Sequence, residues 1–184
     1  MDALESGAFR MSYDKIKLEY RKLMDNLLSQ GRLPVKDTEK GFWAISVPDD
    51  IKALFDRIGL NKYKSFIDLG SGDGRVAMIA ALYTASHGIE HDNELHEIAA
   101  KVKYNLRSDA ILYNEDFMKF DLKGYDFIFI HPDQSLVALE NKLKSEFRGT
   151  LVVYGNEFLP LSIPRKDLFY AGTTPVNVYD VRST

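Results

Sequence analysis

The sequence predicts an α/β chain, a parallel sheet with helices on both faces. Three observations carry this. Strand-like and helix-like segments alternate from Tyr63 onward. The stretch FIDLGSGDGR, Phe66 to Arg75, runs from an apolar strand through three alternating glycines into an alanine-bearing helix. The run YDFIFIHPD (125–133) has the unbroken apolar centre of a strand buried on both faces.

The elements follow in order. Residues 12–30 read as a helix, because Ile16, Tyr20, Leu23 and Leu27 fall on one face. Ser12 caps its start, and Gly31 with Pro34 stops it. Residues 31–45 read as a connector that carries charges and then Phe42 and Trp43. A second helix runs from Pro48 to Ile58, with Ser46 and Asp49 at capping-box spacing and Gly59 closing it. The first strand of the alternating region is 64–69, and its helix is 75–84. SHGIEHD (86–92) is a strand, NELHEIAAKVKYNLR (93–107) an amphipathic helix and AILYNED (110–116) a third strand. After the fourth strand come a helix, SLVALENKLKSEF (135–147), and a fifth strand, TLVVYGNEF (150–158). LFYAG (168–172) and VNVYDVR (176–182) are two further strands. No internal repeat is visible.

Composition narrows the function classes. A length of 184 residues fits one domain with a small N-terminal addition. Cysteine is absent, which excludes disulfides, thiolate metal sites and a cysteine nucleophile. The net charge of −3 disfavours broad binding to a phosphate backbone. No apolar run approaches the ~20 residues of a membrane span. The start, MDALESGAFR, is too acidic and polar for a signal peptide. These features describe a soluble, cytoplasmic protein. No His, Asp and Glu set has metal-ligand spacing, so no metal is expected.

The glycine loop decides the class of ligand. Glycine permits positive φ and close approach of a ligand to bare backbone. Dinucleotide folds show G-x-G-x-x-G, with a helix N-terminus facing a pyrophosphate. Here the spacing is G-x-G-x-G, and Asp68 stands two residues before Gly70. A carboxylate there repels a pyrophosphate and favours a cationic amine. S-adenosylmethionine, with an ammonium and a sulfonium but no phosphate, fits better. Alone, the loop also reads as a plain strand–helix turn. Glu90 lies 20 residues after Gly70, at the end of the second strand, where a carboxylate accepts from ribose hydroxyls. Its polar neighbours His91 and Asp92 leave a simple surface role open. Asp116 and Phe117 suit an adenine slot, or else cap a turn and pack in the core. All three positions fall at carboxyl ends of adjacent strands, where open α/β sheets bind ligands.

Together FIDLGSGDGR, Glu90, NEDF and YDFIFIHPD resemble motifs one to four of the class I, seven-strand S-adenosylmethionine-dependent methyltransferases, over residues 46–182. The stretch LENKLKSEFRGTLVVYGNEF and the strand in TTPVNVYDVR are similar to the archaeal protein-lysine methyltransferases and their mitochondrial relatives. The resemblance implies a Rossmann-like, doubly wound seven-stranded sheet of order 3-2-1-4-5-7-6, with the last strand antiparallel. It implies a methyltransferase domain over 46–184 behind an N-terminal helical extension over 1–45. The cofactor residues it implies are Asp68, Gly70, Ser71, Gly72, Glu90, His91, Asp116 and Phe117. The segment His131-Pro132-Asp133-Gln134 would border the transferable methyl group. Base and glutamine amino-methyltransferases carry Asn/Asp-Pro-Pro-aromatic at that place. HPDQ lacks the second proline and the aromatic, which counts against those substrates and also departs from the lysine group.

The expected reaction is methyl transfer to a protein lysine. RNA or a small molecule is the alternative acceptor, and a non-catalytic cofactor-binding partner subunit the alternative class. Candidates for orienting or deprotonating the acceptor are His131, Asp133 and Glu157, with Tyr154 beside them. Asp133 also reads as a helix cap, Glu157 as a surface carboxylate, Tyr154 as core and His131 as a structural residue. Phe42 and Trp43 either lid the cofactor or anchor the N-terminal helix. The apolar stripe of that helix packs on the domain or on a second copy, as a homodimer.

Overall fold

The structure is a computed structural model that describes residues 11–39 and 41–182. The stretch MDALESGAFR lies outside the described residues. Helix α1 spans Tyr13–Ser29 and is capped by Ser12, whose hydroxyl accepts from the Lys15 amide. Its buried face is Ile16, Tyr20 and Leu27. The connector expected at 31–45 instead carries an antiparallel hairpin of β1 (Val35–Thr38) and β2 (Gly41–Ala44). No residue of either strand is fully buried, so the apolar alternation that marks a strand is weak.

Helix α2 spans Pro48–Ile58 and ends at Gly59, both as expected. Its start differs. Val47 is the N-cap and no side chain caps it, so Ser46 and Asp49 form no capping box. Ser46 is buried, and its carbonyl accepts from Arg75.

The alternating region then runs β3 (Ser65–Leu69), α3 (Arg75–Ala80), β4 (Ala85–Ile89), α4 (Asn93–Leu106), β5 (Ile111–Tyr113) and β6 (Phe127–Ile130). It continues α5 (Val137–Glu146), β7 (Gly149–Tyr154), β8 (Arg165–Ala171) and β9 (Thr174–Val181). Helix α3 stops at Ala80, short of the expected 84, and 81–84 turn back. Strand β4 stops at Ile89, because Asp92 turns the chain and caps α4 through the Leu95 amide.

The seven main strands lie in the order β5-β4-β3-β6-β7-β9-β8. Numbered within the sheet, this is 3-2-1-4-5-7-6. The first five strands pair in parallel, and β9 is antiparallel to both β7 and β8. Strand β6 shows why its sequence is apolar throughout. Phe127 and Phe129 enter the core on one sheet face, and Ile128 and Ile130 enter the core on the other. On the first face Phe66 stacks on Phe127 at 5.6 Å and meets Phe55 of α2 edge-on at 5.4 Å. Each such ring contributes about 1.5–3 kcal/mol on burial. Side chains of α1, α2, α3 and α4 join this core, whereas α5 and irregular segments around 113–125 and 158–163 supply the second. Among the described residues, no helix is long and apolar enough to cross a membrane.

Candidate functional site

The site begins where β3 gives way to the glycine loop. The amides of Gly70 and Ser71 both donate to the Ile89 carbonyl, at 2.9 and 3.0 Å, and tie the loop to the end of β4. The Gly72 amide donates to Glu90 Oε2 at 2.8 Å, and the Asp92 amide to Glu90 Oε1 at 2.8 Å. Glu90 therefore clamps the loop to the turn before α4. A carboxylate has about four acceptor positions, so two remain for a ligand. Asn114 fixes the neighbouring strand end by donating to the Glu90 carbonyl at 2.9 Å and the His91 carbonyl at 3.2 Å. Asp116 caps its own turn, accepting from the Met118 amide at 2.9 Å, and also faces the cavity described next.

These strand ends border a cavity of about 700 Å³. Of the residues the sequence offers for a cofactor, Gly70, Glu90, His91, Asp116 and Phe117 line it, and so does Asp133. At Gly70, with φ of 75°, a side chain would project into open space, so the absence of one leaves room for a ligand. The hairpin forms the opposite wall through Thr38, Glu39, Gly41, Phe42 and Trp43. The Trp43 indole rests against Gly72. Trp43 is thus a wall of the cavity. No lysine or arginine stands among its described lining residues, whereas Glu39, Glu90, Asp116 and Asp133 do.

The remaining predicted loop residues sit behind this surface. Asp68 is 3% exposed and Ser71 6%, and neither they nor Gly72 line the cavity. The Ser71 and Gly72 amides, bonded to Ile89 and Glu90, fix the shape of the loop. Burial pushes the Asp68 carboxyl well above its usual range, and Glu90 and Asp73 push it in the same direction. Asp73 is paired with Arg75, both buried, and Arg75 Nε lies 3.0 Å from Asp73 Oδ1. The Arg75 guanidinium also lies 4.9 Å from the Tyr20 ring, whose hydroxyl donates to the Asp73 carbonyl at 3.0 Å. This network joins α1 to the loop. Asp73 and Arg75 stand in plain view in the motif, but Tyr20 is separated from them by more than fifty residues, and no spacing rule reaches that far.

His131 and Glu157 lie elsewhere. They line a second cavity of about 350 Å³ with Tyr154, Asn156 and Thr174. Pro132 borders both cavities. The His131 ring meets Tyr154 edge-on at 5.1 Å. Loss of water around the ring lowers the His131 pKa, against the opposing pull of Glu157 and Asp133. Asn177, fully buried, supports the rim by donating to the Gly155 carbonyl at 2.8 Å, and Arg165 donates to Asn177 at 2.8 Å. Asn177 was not among the predicted site residues, because a lone asparagine in a strand carries no motif.

Comparison with known proteins supplies the family. The sequence model described as "Histone methylation protein DOT1" matches residues 45–143, more than half of the chain. The chain belongs to the DOT1 family. No curated protein sequence matches it. Its fold recurs in solved methyltransferases. An RNA methyltransferase from Salinibacter ruber, in complex with S-adenosyl-L-homocysteine, superposes with a TM-score of 0.65 at 17% identity, covering 76% of this chain and 95% of that one. A putative methyltransferase from Escherichia coli gives 0.63 at 17% identity, with 83% and 92% covered. A methyltransferase from Geobacter sulfurreducens gives 0.63 at 13% identity, with 90% and 89% covered. The DOT1-family chain thus has the Rossmann-like methyltransferase fold, with its larger cavity at the carboxyl ends of the parallel strands.

Proposed function

We propose that this chain is an S-adenosylmethionine-dependent methyltransferase whose acceptor is the side-chain amine of a protein lysine. One observation carries the cofactor reading, the set of carboxylates around the larger cavity. Four carboxylates line it with no lysine or arginine among the described lining residues, and Asp68 lies behind them next to Glu90. A pyrophosphate meets repulsion there; an ammonium and a sulfonium offset the charge. The residues present fit the group. Glu90 would hold the ribose, Asp116 and Phe117 the adenine, and the open backbone at Gly70 the amino-acid end. Asp68 would act from behind the loop, ionising more readily once a cation lies nearby. When bound, S-adenosylmethionine supplies a methyl group on a good leaving sulfur, so the protein mainly aligns and desolvates.

The lysine reading draws on the DOT1 family match and on the second cavity. Glu157 is the one carboxylate among its described lining residues, and Tyr154 and His131 form aromatic walls. A cationic amine suits such walls, and an RNA phosphate does not. An unperturbed lysine has a pKa near 10.4 and attacks only as the free amine. Glu157 would draw the ammonium in and orient it. Tyr154 and Pro132 would strip water from it, which lowers its pKa and releases the proton to solvent.

Calorimetry with S-adenosylmethionine tests the first half. Absence of binding would end the proposal. Transfer of labelled methyl to a lysine-rich protein, with the label resistant to nuclease and lost on proteolysis, tests the second. Binding without transfer to any acceptor assigns the chain to partner subunits, and label lost to nuclease assigns it to RNA.

A further inference from the structure

The sequence offers Asp133 as a partner of the acceptor, but its contacts lead to the hairpin. Its carboxylate accepts from the Phe42 amide. At Gly41 the backbone takes a φ of 145°, and a Cβ there would collide with the Asp133 carboxylate. Only glycine allows both the angle and the approach. This joins the segment after β6 to β2, across the mouth of the larger cavity.

The other strand of the hairpin is fastened to the opposite bank. Lys36 Nζ lies 2.7 Å from Asp92 Oδ1 and 2.9 Å from Glu94 Oε2, both at the start of α4. Arg32, just before the hairpin, adds a 2.8 Å contact to Glu94. Between these fastenings lie Phe42 and Trp43, which line the cavity.

We infer that Asp133 is a positioning residue that holds the hairpin closed over the bound nucleoside and sets how fast the demethylated product leaves. It acts through the Phe42 amide and so through the aromatic pair. The two fastenings differ in strength. Lys36 is shared between two carboxylates and is partly buried, whereas Asp133 is exposed and holds one backbone amide. The hairpin therefore opens on the Asp133 side and stays fastened at Lys36. This inference rests on the proposed cofactor reading of the cavity.

The test is a stopped-flow chase of the full chain preloaded with S-adenosylhomocysteine, read by the fluorescence of Trp43, its only tryptophan. Asp133→Ala should release the nucleoside about three to ten times faster, the scale of one hydrogen bond, with a smaller change in association. Gly41→Ala should do the same by pushing the carboxylate away. Asp133→Asn keeps an oxygen acceptor and should restore slow release. Thermal unfolding midpoints close to that of the unaltered chain establish that the variants are folded. Release from Asp133→Ala at the unaltered rate would overturn the inference. So would Asp133→Asn behaving as Asp133→Ala, or slower single-turnover methyl transfer with unaltered release, which returns Asp133 to acceptor chemistry. If the unaltered chain binds no S-adenosylhomocysteine in calorimetry, the cofactor reading itself is what fails.

Discussion

The larger cavity and the smaller one share Pro132 as a wall, yet their side chains are fixed by different means. Around the larger cavity, neighbouring strand ends are stitched by backbone amides. Glu90 takes two of them, Ile89 takes two, and Asn114 closes the next gap. At the smaller cavity the Gly155 amide donates to the Pro175 carbonyl at 2.9 Å, while the His131 ring packs against Tyr154. Its walls come from the ends of β6 and β7 and from the turn between β8 and β9, propped by Asn177. The contrast teaches that Glu90 of the larger pocket is locked by main-chain amides, whereas His131 of the smaller one is held by ring packing against Tyr154. A site of the first kind suits a ligand that does not change, and one of the second kind adapts to varied acceptors.

Four alterations break or sharpen that contrast, from the largest effect to the smallest. Asp73→Ala removes the carboxylate partner of a buried guanidinium and should destabilise the fold by about 3–5 kcal/mol, seen as a lowered urea midpoint. A midpoint within error of the unaltered chain would show that the loop does not depend on the pair. Glu90→Ala releases both the loop and the turn before α4, and cofactor affinity in calorimetry should fall about a hundredfold. Glu157→Gln should lower methyl transfer to a lysine peptide about tenfold and leave cofactor affinity unaltered. Equal losses in both would erase the separation between the two cavities.

The smallest effect is a dependence on pH. Burial lowers the His87 pKa, and its Nδ1 lies 3.1 Å from the Tyr125 hydroxyl and 3.3 Å from that of Tyr113. His131 is shifted the same way. The unfolded chain then binds more protons than the folded one between the lowered values and the ordinary 6.5. Stability is present in full above pH 6.5 and declines as pH falls below it. Denaturant titrations at pH 7.5 and 5.5 should show the decline, and His87→Asn should flatten it. A slope unaltered in that variant would assign the loss to other groups.

Much of the first region was legible because local chemistry encodes it. FIDLGSGDGR names its own strand, loop and helix, and Glu90 follows at a spacing set by one βαβ unit. Even there the burial of Ser71 and Gly72 behind the cavity was hidden, because a sequence does not reveal which amides are already bonded. The hairpin was missed, since its strands are short, half-exposed and charged. A turn signal was present all the same in the glycine before Phe42. The supposed capping box failed because Val47, and not Ser46, takes the N-cap position ahead of Pro48. His131 and Glu157 were found as strand-end residues, but their separation from the cleft residues depends on tertiary placement of the β8–β9 turn.

Helix α1 has a further bearing on this. Its Tyr20 roofs Arg75 and reaches the main chain of the glycine loop, while Ile16 is wholly enclosed in the core. The leading segment is consequently a keystone rather than an ornament. A clip by a protease at the bend after Gln30 would uncover a cation and hollow the interior in one stroke, so trimmed versions beginning near Val35 should lose ligand grip and solubility together.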